Sequence, residues 1–250
     1  GKTMRNFFSL YDKLIDGMGE DAAEITVSKA FSGECWAMIE AGGRMGIAME
    51  GTMDTAPLMY ENGLTGLTLA EAAKAVKSWN LVEAAMGLAA INAYYNTKER
   101  MDALHCAEPY ENYCTAGINF RGKRLGVIGH LRLRPEIRAN AAEIFTLERS
   151  PKPGDYPDSA CDVILPRCDI VFITGSSITN KTLPHLLELC RDSLTIMVGP
   201  SVPMCPALLD YGIDRLSGLA LTDNIGMRAR ALSGEHGNPY THGQSFLLKK

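Results

Sequence analysis

The sequence predicts an α/β protein in which a parallel-sheet domain is preceded by a smaller α+β domain. Three observations carry that expectation. Residues 169–190, DIVFITGSSITNKTLPHLLELC, and residues 194–212, LTIMVGPSVPMCPALLDYG, each run from a short apolar stretch through a turn of small polar residues into a helical pattern. That is how strands covered on both faces of a parallel sheet read. Nearer the start, the apolar runs 35–39 and 45–49 are separated by Gly42-Gly43, which marks an antiparallel hairpin. Residues 81–95 hold a single charge and many small side chains, the pattern of a helix buried on most of its surface.

In chain order, Phe7, Phe8, Tyr11, Leu14 and Ile15 recur at helical spacing until Gly17 and Gly19 stop them. Residues 24–30 alternate as a strand and lead into the hairpin. Residues 50–66, rich in glycine and short polar residues, read as an irregular segment. Thr68, with Glu71 three residues on, predicts a capping box at a helix start. In the buried helix that follows, Asn92 and Asn96 share a face; either they serve the backbone or they reach towards a second domain. Residues 97–122 carry Pro109 and few apolar runs, which places a linker there and gives domains of 1–106 and 107–250.

Beyond the linker, residues 124–128 form a strand, Gly129-His130 a turn, and Pro135 opens a helix over 136–142. Residues 145–147 are a second strand ending at Glu148, nineteen residues after Gly129, where a dinucleotide-binding unit keeps its ribose-binding carboxylate. The glycine fingerprint is incomplete, and His130 and Arg132 stand where the chain would hug a pyrophosphate. An irregular loop covers 151–157, and a short helix 160–166. The two repeats come next; Thr182, with Pro184 behind it, reads as a helix cap, and Pro206 and Gly212 bound a further helix. Residues 215–222 are a fifth strand, and the tail GEHGNPYTHGQSF is polar and without period.

The 250 residues are 46% apolar and 22% charged, with a formal charge of −4 and no basic run. That balance argues against a nucleic-acid or anionic-membrane partner and for a small molecule. No stretch reaches the ~20 apolar residues of a membrane span, and the first residues lack a charged region followed by an apolar core, so the expected location is cytoplasmic; Gly1 reads as the scar of a tag. Seven cysteines without a C-x-x-C pair fit reduced thiols rather than a disulfide frame or a zinc cluster. A homo-oligomer is compatible with all of this.

Successive crossovers of one hand bring the polar turns to one edge of the sheet, where open α/β folds bind ligands. The expected site is therefore Gly129, His130, Glu148, Thr174, Gly175, Ser176, Asn180, Thr182, Gly199, Pro200 and Ser201, joined by Asn92 and Asn96 from the first domain. Hydroxyls, amides and free N–H groups there suit an anion. His130 is either a metal ligand or acid/base group, or a histidine bonded to a loop carbonyl; with Glu148 it forms the expected metal pair. Ser201, stiffened by Pro200 and Pro203, is either a ligand donor or a helix cap, and lacks the elbow motif of a nucleophile. Cys205 reads as packing, and His236 and His242 lie in the tail without a defined metal spacing.

The motifs TGSSITNKTL, GPSVPMCPALLDYGIDRLSGLALTD and GVIGH, within residues 124–223, resemble the C-terminal domain of the "putative heavy-metal chelation" family. Residues 21–96, with GLAAINAYYN, are similar to that family's N-terminal domain. The resemblance implies a Rossmann-like domain preceded by an enolase N-terminal-like one, a ligand cleft between them, and a transition metal or metal chelate as the bound group. It names no catalytic residue, so whether the protein is an enzyme stays open. Two other readings remain: an enzyme dependent on a nicotinamide or S-adenosylmethionine cofactor, and a non-enzymatic metallochaperone or carrier.

Overall fold

In the computed structural model, which describes residues 7–50, 56–106 and 114–250, the strands form one three-stranded and one seven-stranded sheet. Helix α1 (Ser9–Asp16) buries Leu10, Tyr11 and Leu14, and the Tyr11 hydroxyl donates to the Ile178 carbonyl at 2.6 Å. The small sheet is a meander of β1 (Val27–Ser32), β2 (Trp36–Ala41) and β3 (Arg44–Met49). Gly42 and Gly43 turn between β2 and β3 at φ +55° and +79°, as the two central residues of a tight hairpin turn require, and Ala41 pairs with Arg44.

Alternation along the hairpin explains why both its faces are apolar. Ala37, Ile39, Ala41 and Ala48 join the largest core cluster, whereas Trp36, Met38, Met45 and Ile47 pack with Leu219, Met227 and Ala231 from the C-terminal half. Helix α2 (Leu69–Ala73) is capped by Thr68, whose hydroxyl accepts from the Glu71 N–H at 3.1 Å. The Glu71 carboxylate turns to Tyr60 and Lys74, so only half of the expected capping box forms. Helix α3 (Leu81–Tyr95) lies against the hairpin so closely that a methyl group on Gly46 would stand 1.9 Å from the Ala89 carbonyl oxygen. Its small residues are what allow that approach. Helix α4 (Lys98–Ala103) follows.

The large sheet contains β4 (Arg124–Ile128), β5 (Glu143–Glu148), β6 (Tyr156–Pro157), β7 (Ile170–Thr174), β8 (Leu194–Val198), β9 (Arg215–Leu221) and β10 (Gly243–Lys249), in the order β10-β9-β8-β7-β4-β5-β6. All neighbouring pairs are parallel except β9 with β10. Between them run α5 (Pro135–Asn140), α6 (Cys161–Ile164), α7 (Ser176–Thr179), α8 (Leu183–Leu189) and α9 (Asn224–Ser233). Strand order reverses between β4 and β7, the place where an open α/β sheet leaves a crevice beyond its strand ends. Leu125, Val127, Ile170, Phe172 and Ile196 cover one face, while Val171, Ile173 and Met197 face the cluster that includes α3.

Several sequence expectations give way here. The aperiodic tail is ordered: β10 pairs with β9 from Gly243↔Leu221 to Lys249↔Arg215. Helix α9, capped by Asp223, was not anticipated at all. The helix expected over 136–142 spans Pro135–Asn140. The helix expected over 160–166 is one α turn at Cys161–Ile164 between 3-10 turns, and a 3-10 turn also fills Pro206–Tyr211 before Gly212. Thr182 does not cap α8: its hydroxyl donates to Asn180 Oδ1 at 2.6 Å instead. Residues 51–55 and 107–113, which include part of the irregular segment and Pro109 of the linker, lie outside the described residues.

Candidate functional site

At the ends of β4, β7 and β8 lies a cavity of about 940 Å³. His130, Leu131, Arg132, Leu133 and Arg134 line it from the β4–α5 loop, and Val198, Gly199 and Pro200 from the end of β8. Glu34, Cys35 and Trp36 from the start of β2, and Met49 and Glu50 from the end of β3, face it too. His236, Gly237, Asn238 and Tyr240 close another side. Phe172, Ile137 and Val198 give an apolar wall, and His130, Arg132, Arg134 and His236 stand exposed around it.

His130 is held by two carboxylates. Its Nδ1 stands 3.3 Å from Glu148 Oε1, and its Nε2 stands 2.8 Å from Asp155 Oδ2. Asp155 also accepts from the Lys152 N–H at 2.9 Å, and the bonds from His130 and Lys152 keep its carboxyl below the usual range. His130 Nε2 can ligate an ion only by releasing Asp155, and Nδ1 faces Glu148 at 3.3 Å. The expected pair of His130 and Glu148 is thus in contact, but joined by a third residue, Asp155, that the loop 151–157 gave no reason to select.

The other expected residues separate into two groups. Gly129 (φ +102°), Gly199 (φ +133°) and Pro200 shape the strand ends, and a methyl group on Gly129 would meet Thr174 at 3.1 Å. The turn after β7 is packed inward. The Thr174 and Ser176 hydroxyls bond each other at 3.1 Å, Asn180 is occupied by Thr182, and a methyl group on Gly175 would stand 2.7 Å from the Ser201 carbonyl carbon. Neither Thr174 nor Ser176 nor Asn180 nor Thr182 lines the cavity.

Ser201, Asn92 and Asn96 form a seam between β3, α3 and the β8 turn. The Met49 N–H donates to Ser201 Oγ at 2.8 Å, and Asn92 Nδ2 donates to the carbonyls of Ile47 and Ser201 at 2.9 and 3.0 Å. Asn96 donates to the Val202 carbonyl at 2.9 Å and accepts from the Met204 N–H at 2.8 Å. Both asparagines are nearly sealed from solvent, at 2% and 4% exposure. They face the C-terminal half, but to hold its backbone.

On the same cavity is a pair absent from the sequence reading: Cys35 Sγ lies 3.1 Å from His236 Nδ1 and 3.4 Å from the Gly234 carbonyl. Position 35 is set by the β1–β2 turn, in which the Glu50 N–H donates to the Cys35 carbonyl and Ser32 Oγ to Glu50 Oε2. The segment carrying His236 is held from behind. Asp223 caps α9 and contacts His242 Nδ1 at 2.8 Å, while Arg230 Nε donates to His242 Nε2 at 3.0 Å. Burial pushes the Cys114 thiol, on the same cavity, upward, with Arg215 and Arg134 offsetting part of that.

A family model described as "putative heavy-metal chelation", DUF364, matches residues 118–247, more than half of the chain. The chain belongs to the DUF364 family. A companion model with the same description, DUF4213, matches residues 11–95. A DUF364 protein of unknown function from Desulfitobacterium hafniense is 36% identical, with a TM-score of 0.85 over 98% of this chain and 99% of that one. Another, from Pyrococcus horikoshii, is 21% identical, with a TM-score of 0.80 over 96% and 100% of the two chains, and shares the fold. An uncharacterized protein from Methanocaldococcus jannaschii is 29% identical over 159 residues, 58% of this chain and 58% of its own length. DUF364 structures thus share the large, mostly parallel sheet flanked by helices and the small antiparallel sheet. Among the described residues no helix is long and apolar enough to cross a membrane.

Proposed function

We propose that this DUF364 protein binds a small polar or anionic ligand, and more narrowly a heavy metal already held in an organic chelate, in a cleft between domains of 1–106 and 107–250. The observation that carries the reading is the cavity of about 940 Å³ at the strand ends, with Arg132, Arg134 and His130 on one side and Cys35 and His236 on the other. Its size suits an organic molecule far better than a bare ion. The family's description supplies the metal.

The residues fit a metal whose remaining coordination positions are filled by another molecule, and not an ion held by protein donors alone. Among the described residues no three His, Cys, Asp or Glu side chains are grouped to hold one metal, and His130 Nε2 is taken by Asp155. A chelator that brings its own donors needs fewer from the protein. Arg132 and Arg134 would take its anionic arms in charge-assisted bonds, and the aromatic and aliphatic wall would exclude water from them. No covalent step follows from this arrangement, and the reading is one of binding.

A nicotinamide- or S-adenosylmethionine-dependent enzyme is the second reading, favoured by the reversal of strand order at β4 and β7 and by Glu148 at the end of β5. Against it, residues 129–134 separate β4 from the six-residue α5, where the fingerprint turn runs directly into its helix, and Glu148 Oε1 lies 3.3 Å from His130 Nδ1. Calorimetric titration with a catecholate and with a carboxylated tetrapyrrole, each alone and metal-loaded, tests the main reading. Binding that Arg132→Ala and Arg134→Ala weaken supports it. Heat with a dinucleotide or S-adenosylmethionine and none with the chelators would replace it with the second reading.

A further inference from the structure

We propose that Cys35 and His236 are a two-donor site for a soft divalent ion, with the remaining coordination positions filled by the ligand in the cavity. This rests on the reading that the cavity is the ligand site, and adds which protein atoms take the metal. The two donors lie 3.1 Å apart on the cavity wall and come from segments 201 residues apart. An ion bound at ~2.3 Å to sulfur and ~2.0 Å to nitrogen with tetrahedral angles needs its donors about 3.5 Å apart. Small rotations about the two side-chain bonds cover that difference.

Neither donor depends on the ion for its position. The β1–β2 turn and its bond to Glu50 place Cys35, and the Asp223–His242–Arg230 chain with the β9–β10 pairing fixes the segment before and after Gly237. A methyl group on Gly237 would stand 1.5 Å from the Arg230 guanidinium, so that segment lies directly on the buttress. A thiolate favours soft and borderline metals over magnesium or calcium, and the imidazole suits zinc and its heavier relatives. Binding converts Cys–SH and M²⁺ into Cys–S–M and a proton released to buffer, while His236 Nδ1 gives a lone pair. Affinity therefore rises with pH.

The test uses the untagged full chain with Cd²⁺ alone and with Cd²⁺-nitrilotriacetate, an anionic chelate with open coordination positions. The cadmium–thiolate charge-transfer band should appear and saturate at one ion per chain. Cys35→Ser should abolish the band, His236→Ala should weaken binding at least tenfold, and Cys106→Ser, away from the cavity, should change neither. In the unmodified protein, Cd²⁺ should slow alkylation of Cys35 at least tenfold by mass spectrometry, a readout independent of whether the variants fold. A band that survives Cys35→Ser, or Cys35 alkylation indifferent to Cd²⁺, overturns the assignment. If those arms fail while a metal-free catecholate still binds and responds to Arg132→Ala, only this inference falls; if the catecholate fails as well, the cavity reading falls with it.

Discussion

The seam at Asn92, Asn96 and Ser201 and the cavity rim at Cys35, His130 and His236 lie near the same edge of the large sheet and are built from similar polar side chains. They differ in what those side chains touch. At the seam the amides and the hydroxyl meet main-chain N–H and carbonyl groups, at 2–4% exposure. At the rim, side chains meet one another: imidazole with carboxylates, thiol with imidazole. The seam residues are committed to buried backbone, with Asn92 Oδ1 alone left without a partner and sealed from solvent, whereas a group exchangeably paired at a cavity edge can take a ligand. The seam holds the protein together, and the rim is where a ligand can exchange for an internal partner.

Changes on the seam side should therefore cost stability and leave ligand affinity per folded molecule unchanged. The largest effect is expected at Gly46→Ala, since its methyl group would lie 1.9 Å from the Ala89 carbonyl oxygen of α3. Denaturant unfolding should show a loss of about 3 kcal/mol or more, or no folded protein. An unchanged midpoint would mean that α3 and the hairpin are not in contact. Asn96→Ala leaves the Met204 N–H and the Val202 carbonyl without their partner and should cost about 2–3 kcal/mol.

Lys181 tests the seam's neighbourhood by pH. It is 5% exposed, sits at φ +63°, and donates to the carbonyls of Ser78 and of Thr179. Burial pushes its pKa down from 10.5 to about 8, with Glu83 opposing. Between those values the unfolded chain holds a proton that the folded one has lost, so stability should rise with pH across the window, by about 3 kcal/mol, and be flat below it. Lys181→Met should remove the slope. A slope that persists in the variant would assign it to another group.

Rim changes should do the reverse. Arg132→Ala should weaken binding of an anionic chelator about tenfold while leaving the unfolding midpoint where it was. Asp155→Asn should likewise spare the midpoint at neutral pH. Because Asp155 is held below the usual carboxyl range, it stays ionised through that range, and its link to His130 is lost only as pH falls below it. The variant should lack that acid-side change in the His130 ring signals observed by NMR.

Local pattern made much of the fold legible. Strand β4, helix α3 and the Gly42-Gly43 hairpin follow from apolar runs, spacing and turn chemistry that act over a few residues. The tail did not follow, because β10 is an edge strand whose apolar residues, Phe246 to Leu248, gain meaning only from pairing with β9. His236 was unreadable for the same reason: its place depends on that pairing and on the contact of His242 with Asp223, 19 residues earlier. Asn92 and Asn96 are a different case. Their polarity and the burial of their helix were both legible, and spacing could not choose between serving backbone and reaching a ligand; the structure assigns them, with Ser201, to backbone. Asp155 lies in an irregular loop with no pattern, and only the fold brings it to His130.

Amide hydrogen exchange with and without Cd²⁺-nitrilotriacetate tests the division between seam and rim most directly. Slower exchange is expected at residues 34–36, 130–134 and 236–240, with residues 174–182 unchanged. Protection at 174–182 without any at the three rim segments would contradict the account and move the ligand to the turn after β7.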